Sequence, residues 1–190
     1  SGGGQAPPPP PPPPRQPPAS RPRSRFSRLI ERIVREHAPI RARRIASLSG
    51  RTIAAVLEQA AREGWGEART ARELRRVLGP EVSRVAAARI ARTELGAAQN
   101  GAALAIAEDR EQATGEPLEK GWAGIDDHRR RPTHAEAEGQ WRPLSVAFTV
   151  GKALLMYPGD PTGPLEEIIN CRCGLVIRKP IPADRRAVRQ

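Results

Sequence analysis

Eight consecutive prolines, Pro7 to Pro14, constrain this 190-residue chain more than any other feature, because no part of a packed core can be built from them. A proline ring fixes φ and removes the amide donor, so the run adopts an extended polyproline helix and acts as a semi-rigid spacer. Ser1 to Gly4 form a flexible lead, and Pro17, Pro18 and Pro22 carry the same character onward. Residues 1–24 are therefore predicted to be a disordered, basic, proline-rich arm. Docking to proline-reading domains is an alternative use of it. Because the sequence opens on Ser1 rather than methionine, the chain is expected to be a fragment or a processed product.

Past the arm the periodicity turns helical, and residues 25–79 are expected to form a helical subdomain. Phe26, Leu29, Ile30, Ile33 and Val34 recur at steps of three and four, with Arg25, Arg28, Arg32 and Arg35 opposite. Pro39 is expected to end or kink this helix. A second helix is predicted from Thr52 to Glu63, burying Ile53, Val56, Leu57, Ala60 and Ala61 and stopped by Gly64. A third runs from Glu67 to Leu78, before the Gly79-Pro80 break. The fourth and longest, from Pro80 to Ala113, is rich in alanine, with Pro80 suited to the first helical position. One stripe of it holds Thr93, Ala97, Asn100 and Leu104. Polar groups in so small-residued a stripe suggest contact with another backbone, exposure to solvent being the alternative.

From residue 114 tryptophans, prolines, glycines and short apolar stretches replace the helical pattern. Leu118 to Ile125 is a candidate strand, followed by a charged loop to His134. Ala147 to Val150 and Ala153 to Tyr157 are candidates to pair. Pro158-Gly159 suits the centre of a type II turn, and Gly163 to Ile169 a short helix, with Asn170 as left-handed cap. Cys171 to Ile177 alternates as a strand. The fold class read from this order is α+β. A helical subdomain and a long Ala-rich helix precede a small α+β lobe, the last two making one domain over residues 80–182, and residues 183–190 form a basic tail.

The net charge is +11, and of 32 basic residues only Lys120, Lys152 and Lys179 are lysines. Arginine makes planar, bidentate phosphate contacts, so non-specific binding to double-stranded DNA is expected, with Arg21, Arg23, Arg25, Arg28, Arg41, Arg43 and Arg44 as the contact set. Removing residues 1–51 should abolish most of it. A GC-rich genome gives the same composition without that function. The two cysteines, one residue apart, do not suit a disulfide, which points to a reducing compartment. No apolar run approaches the roughly 18 residues of a membrane helix, so no membrane partner is expected.

Chemistry-bearing residues concentrate in Trp122 to His134 and in Asn170-Cys171-Arg172-Cys173. On a strand, Cys171 and Cys173 project to one face, where His134 would meet them and Asp127 or a water would complete a zinc set. A usual zinc signature has two ligand pairs and this chain shows one. The expectation is therefore structural thiols, a hydrogen-bonded histidine and no resident cofactor, with zinc on His134, Cys171 and Cys173 as the alternative. Asp126, Asp127, His128 and His134 also raise a metal-dependent nuclease. They lack a convergent second carboxylate, and no catalytic residue is assigned.

These same residues carry a resemblance. Arg89 to Asn100, with Arg92, Thr93, Glu94 and Asn100, resembles the helical signature of phage head-morphogenesis proteins of the Mu protein F-like family. Trp122, Asp127-His128-Arg129, His134 and Gly139 follow in that family's order. Tyr157-Pro158-Gly159-Asp160-Pro161 then leads to Asn170-Cys171-Arg172-Cys173, so the likeness spans roughly residues 80 to 178. It implies a minor head protein without established enzymatic activity, acting in capsid assembly and DNA packaging or delivery. Portal and capsid proteins are its implied partners, in the virion and, during assembly, in the host cytoplasm. Related domains also precede toxin modules, so a phage-derived nuclease or toxin-delivery module is the alternative. One branch of the family has Cys-Pro-x-Cys where this chain has Arg131 to His134, and His-Pro-Asn-Cys where it has Ile168 to Cys171. Arg131 and Ile168 cannot serve as ligands. Arg92, Thr93, Glu94 and Asn100 are expected to anchor the loops around Asp127, Arg129 and Asn170.

Overall fold

The computed structural model describes residues 25–42, 47–80 and 82–181; the proline-rich arm and the basic tail lie outside them. The protein is α+β, its described residues forming four helices followed by a lobe of short strands and two short helices. Helix α1 is Arg25–Ala42, α2 Ser47–Glu63, α3 Glu67–Leu78 and α4 Arg84–Thr114. In the lobe come β1 (Glu119–Ala123), α5 (Pro132–Ala137), β2 (Trp141–Pro143), β3 (Phe148–Val150), β4 (Ala153–Leu155), α6 (Leu165–Ile168) and β5 (Gly174–Arg178).

Periodicity located these helices well, but not all their ends. Helix α1 continues three residues past Pro39 instead of stopping there; so close to a C-terminus, the missing amide forfeits only one ladder bond. Helix α4 begins after Ser83, not at Pro80. The Ser83 hydroxyl accepts from the Ala86 amide at 3.1 Å and caps the first turn. Gly64, at φ 68°, ends α2 as expected.

Apolar residues of α1, α2 and α3 close on the first half of α4. Val34, Ile53, Leu57 and Leu74 meet Ala87, Ala91, Leu95 and Ala98 there, alanine allowing the close approach. The second half of the same helix serves the lobe, with Leu104 and Ala107 packed on Leu118 and Leu144. A third cluster, Trp122, Ala137, Phe148, Val150, Leu155 and Ile168, fills the lobe itself. So small a core would be marginal alone; α4 supplies the missing wall.

The lobe holds a three-stranded antiparallel sheet, ordered β2-β1-β5, and a β3–β4 hairpin. The β1 strand and the hairpin lie within the short stretches expected to form them. The charged loop before His134 instead ends in α5, with Pro132 in its first turn. Strand β5 starts at Gly174, so Cys171 and Cys173 precede it rather than belonging to it. In place of a sheet ladder, the Cys173 carbonyl finds Asn100 of α4 and the Cys171 amide the carbonyl of Ile168.

Candidate functional site

Three polar residues of α4 hold the lobe, Thr93 and Asn100 from one stripe and Arg92 from beside it. The Arg92 guanidinium donates to Asn170 Oδ1 at 2.5 Å while also gripping Glu67 of α3. At the next position, the Thr93 hydroxyl accepts the Asn170 amide at 2.8 Å. Two turns further, Asn100 donates to the carbonyls of Pro158 (2.8 Å) and Cys173 (3.1 Å) and accepts the Leu175 amide (2.9 Å). Thr93, Ala97, Asn100 and Leu104 are all buried, so the stripe faces protein and not water. Glu94 is half-buried beside them.

Backbone shape matches this clamp. Tyr157-Pro158-Gly159-Asp160 makes a tight turn closed by the Asp160 amide on the Tyr157 carbonyl at 3.1 Å. Gly159 has φ 82° and lies against α4, where a Cβ would stand 3.3 Å from the Ala97 Cα. The buried Asp160 carboxylate accepts the amides of Met156 and Thr162, fixing the turn from within; Pro161 follows half-buried. Asn170, at φ 60°, takes the left-handed conformation after α6 and aims its side chain at Arg92. Gly139, at φ 77°, turns the chain from α5 into β2, its amide bonded to the Trp122 carbonyl at 3.1 Å.

Beyond the clamp lies a sulfur and imidazole cluster. His134 Nδ1 is 3.4 Å from the Cys173 sulfur and 3.7 Å from that of Cys171. His134 Nε2 meets the Glu167 carboxylate at 3.1 Å, and the same oxygen accepts the Thr133 hydroxyl at 2.8 Å. The ring of Trp122 stands edge-on to His134, centroids 5.4 Å apart. Its indole N–H is buried without an acceptor among the described residues. A hydrogen bond with Cys173 draws the Cys171 thiol down to about 7 against burial, and the same bond pushes Cys173 up.

The Asp127 region is built differently from the expectation. Arg172 grips the Asp127 carboxylate with both terminal nitrogens, one at 2.6 Å, and holds it well below the usual carboxylate range. The Arg129 amide also donates to it, at 2.9 Å. Asp127 thus pairs with Arg172 and Arg129 rather than with α4 among the described residues, and it is engaged away from the thiols. Asp126 pairs with Arg130 at 2.9 Å, and His128 is exposed. The acidic pair is held by arginines and makes no metal cluster among the described residues.

A family model for phage Mu protein F like protein matches residues 51–176, well over half of the chain. The chain belongs to that family. No curated protein and no solved structure matches it. The Mu F-like match runs from α2 to β5 and so includes the clamp, the tight turn and the thiol cluster.

Of the DNA-contact arginines, Arg21, Arg23, Arg43 and Arg44 lie outside the described residues. Arg41 lies in α1, and Arg25 and Arg28 are exposed there, Arg25 paired with Asp109 of α4. Glu167, Thr133, Glu67 and the buried Lys120 escaped the sequence reading. Each acts on a residue distant in sequence, and the short-range pattern of a single chain carries no sign of such pairings.

Proposed function

We propose that this protein is a structural component of a phage head, joined to portal and capsid proteins in the virion and contacting packaged double-stranded DNA through arginines of its helical part. Family membership over residues 51–176 carries the head-protein reading. The placement of charge supports the DNA contact. In the lobe, Arg130, Arg172 and Arg178 are engaged by carboxylates, and Arg131 and Arg142 by amide carbonyl oxygens. At the α3–α4 corner, Arg72, Arg75, Arg76 and Arg84 are exposed and line one cavity of about 620 Å³. Arg76 pairs with Glu73. The other three have no acidic partner among the described residues, which do not include Glu81. Like charges crowded in this way are stabilised by a polyanion, which gains entropy from the counterions it sheds.

Fluorescence anisotropy of the full chain on duplexes of unrelated sequence, across a salt series, tests the contact. Similar affinities are expected for all duplexes, falling steeply with salt, with a log–log slope of about −0.9 per phosphate neutralised. Replacing Arg72, Arg75 and Arg84 by alanine should weaken every complex and flatten the slope by about one per arginine. A truncation of the arm must stop before Arg25. Cutting to residue 51 would delete α1, whose Ile30, Ile33 and Val34 pack in the helical core. Salt-insensitive binding, or none by the folded chain at low salt, overturns the DNA contact and leaves the family assignment standing. Portal association is read by copurification of the two coexpressed proteins.

A further inference from the structure

We propose that His134, Cys171 and Cys173 form a three-ligand site for a zinc-class divalent ion. The inference rests on geometry and is independent of the DNA reading. The ligand atoms of the three residues all lie within 4.8 Å of one another. In a tetrahedral site with ordinary Zn–S and Zn–N bonds, a sulfur and a nitrogen stand about 3.6 Å apart. The observed separations of 3.4 and 3.7 Å bracket that figure.

The surroundings are those of a metal-bound imidazole. For Nδ1 to offer its lone pair to an ion, Nε2 must carry the proton, and the Glu167 carboxylate 3.1 Å away accepts it. Such a carboxylate fixes tautomer and ring orientation and raises the basicity of the ligand. Thr133 in turn holds Glu167. On the other side, the carbonyl of Cys173 is pinned by Asn100 and the amide of Asn170 by Thr93, so α4 positions the segment that bears both sulfurs.

A cavity of about 20 Å³, lined in part by Arg129, Arg131 and Asn170, adjoins all three ligands. Roughly 10–15 Å³ suffices for one water, so a solvent molecule fits as fourth ligand. Two thiolates balance the charge of a divalent ion, which suits a pocket ringed by guanidiniums. The set differs from the four-residue pattern of the cysteine-rich branch: Arg131 and Ile168 occupy two of that pattern's positions, and Cys173 contributes from outside it.

The test is metal analysis of the full chain purified without chelators, with cobalt(II) titration as the spectroscopic readout. About one zinc per chain is expected, and cobalt should give a thiolate charge-transfer band with the visible absorption of a tetrahedral site. Cys171→Ser and Cys173→Ser should each weaken the band, and Glu167→Gln should keep it while lowering metal affinity about 10–100-fold. Circular dichroism verifies that each variant is folded, and the parent's spectrum decides the matter where one is not. A folded parent that takes up neither zinc nor cobalt overturns the site. So does binding unchanged in both serine variants.

Discussion

Asn100 makes three hydrogen bonds from inside the interface between α4 and the lobe, two donated to carbonyls and one accepted from an amide. Alanine there would leave those backbone groups buried without partners, which costs roughly 1–3 kcal/mol. Asn100→Ala should lower the chemical-denaturation midpoint accordingly, whereas Arg110→Ala, exposed near the far end of the same helix, should not move it. Lys120 presents the opposite situation. It is wholly buried in β1, with its ammonium on the Met156 carbonyl at 2.9 Å. Burial pulls its pKa from 10.5 down to about 8, against the pull of Glu108 and Asp160. The unfolded chain therefore holds this proton between about pH 8 and 10.5 when the folded chain has released it. Stability from this group rises with pH across that window, by on the order of 3 kcal/mol. The difference between parent and Lys120→Met denaturation midpoints, followed from pH 7 to 11, should reveal that rise in the parent alone; parallel curves would refute it. At this scale the stripe of Thr93 and Asn100 was legible, because polar residues in an alanine-rich face demand partners. Which backbone groups of the lobe they bind was not legible, since those lie 58 to 77 positions away along the chain.

Elements were legible in proportion to their length. Twelve residues of α3 repeat the helical period often enough to set both ends. Six residues of α5 do not, and Arg129-Arg130-Arg131 ahead of them reads equally well as a solvated loop. The three-residue β2 exists only because β1 offers it a partner, with Gly121 opposite Trp141. The start of β5 was misplaced because alternation continues through Cys171 and Cys173, while Asn100 and Thr93 take up backbone groups that a strand would have paired. The Pro158-Gly159 turn was legible, and its docking yields an element-scale prediction. Gly159→Ala brings a left-handed strain and also a Cβ 3.3 Å from the Ala97 Cα and 3.5 Å from its nitrogen, backbone atoms that cannot yield. Destabilisation on the order of 1–3 kcal/mol is expected. Gly64→Ala, at φ 68° with open space around it, carries the strain alone and should cost less in the same thermal-melt comparison.

Over the whole molecule, the change from helical repeats to short strands made the α+β class readable, as did the excess of arginine over acid. The division of labour within α4 was not readable, because its alanines repeat without a break while its two halves serve different cores. Thirty-one residues of continuous helix measure roughly 46 Å. An α-helix resists bending far more than a loop does, and here Arg92 ties α3 to the lobe from the first third of the rod while Arg25 of α1 pairs with Asp109 near its far end, so both bodies brace one helix along its length. A partner that grips α1 to α3 and rotates them therefore carries the lobe round with them as one piece. In an assembly of many subunits, the stiffness of one alanine-rich helix would then set how accurately the lobes are aimed at whatever they meet.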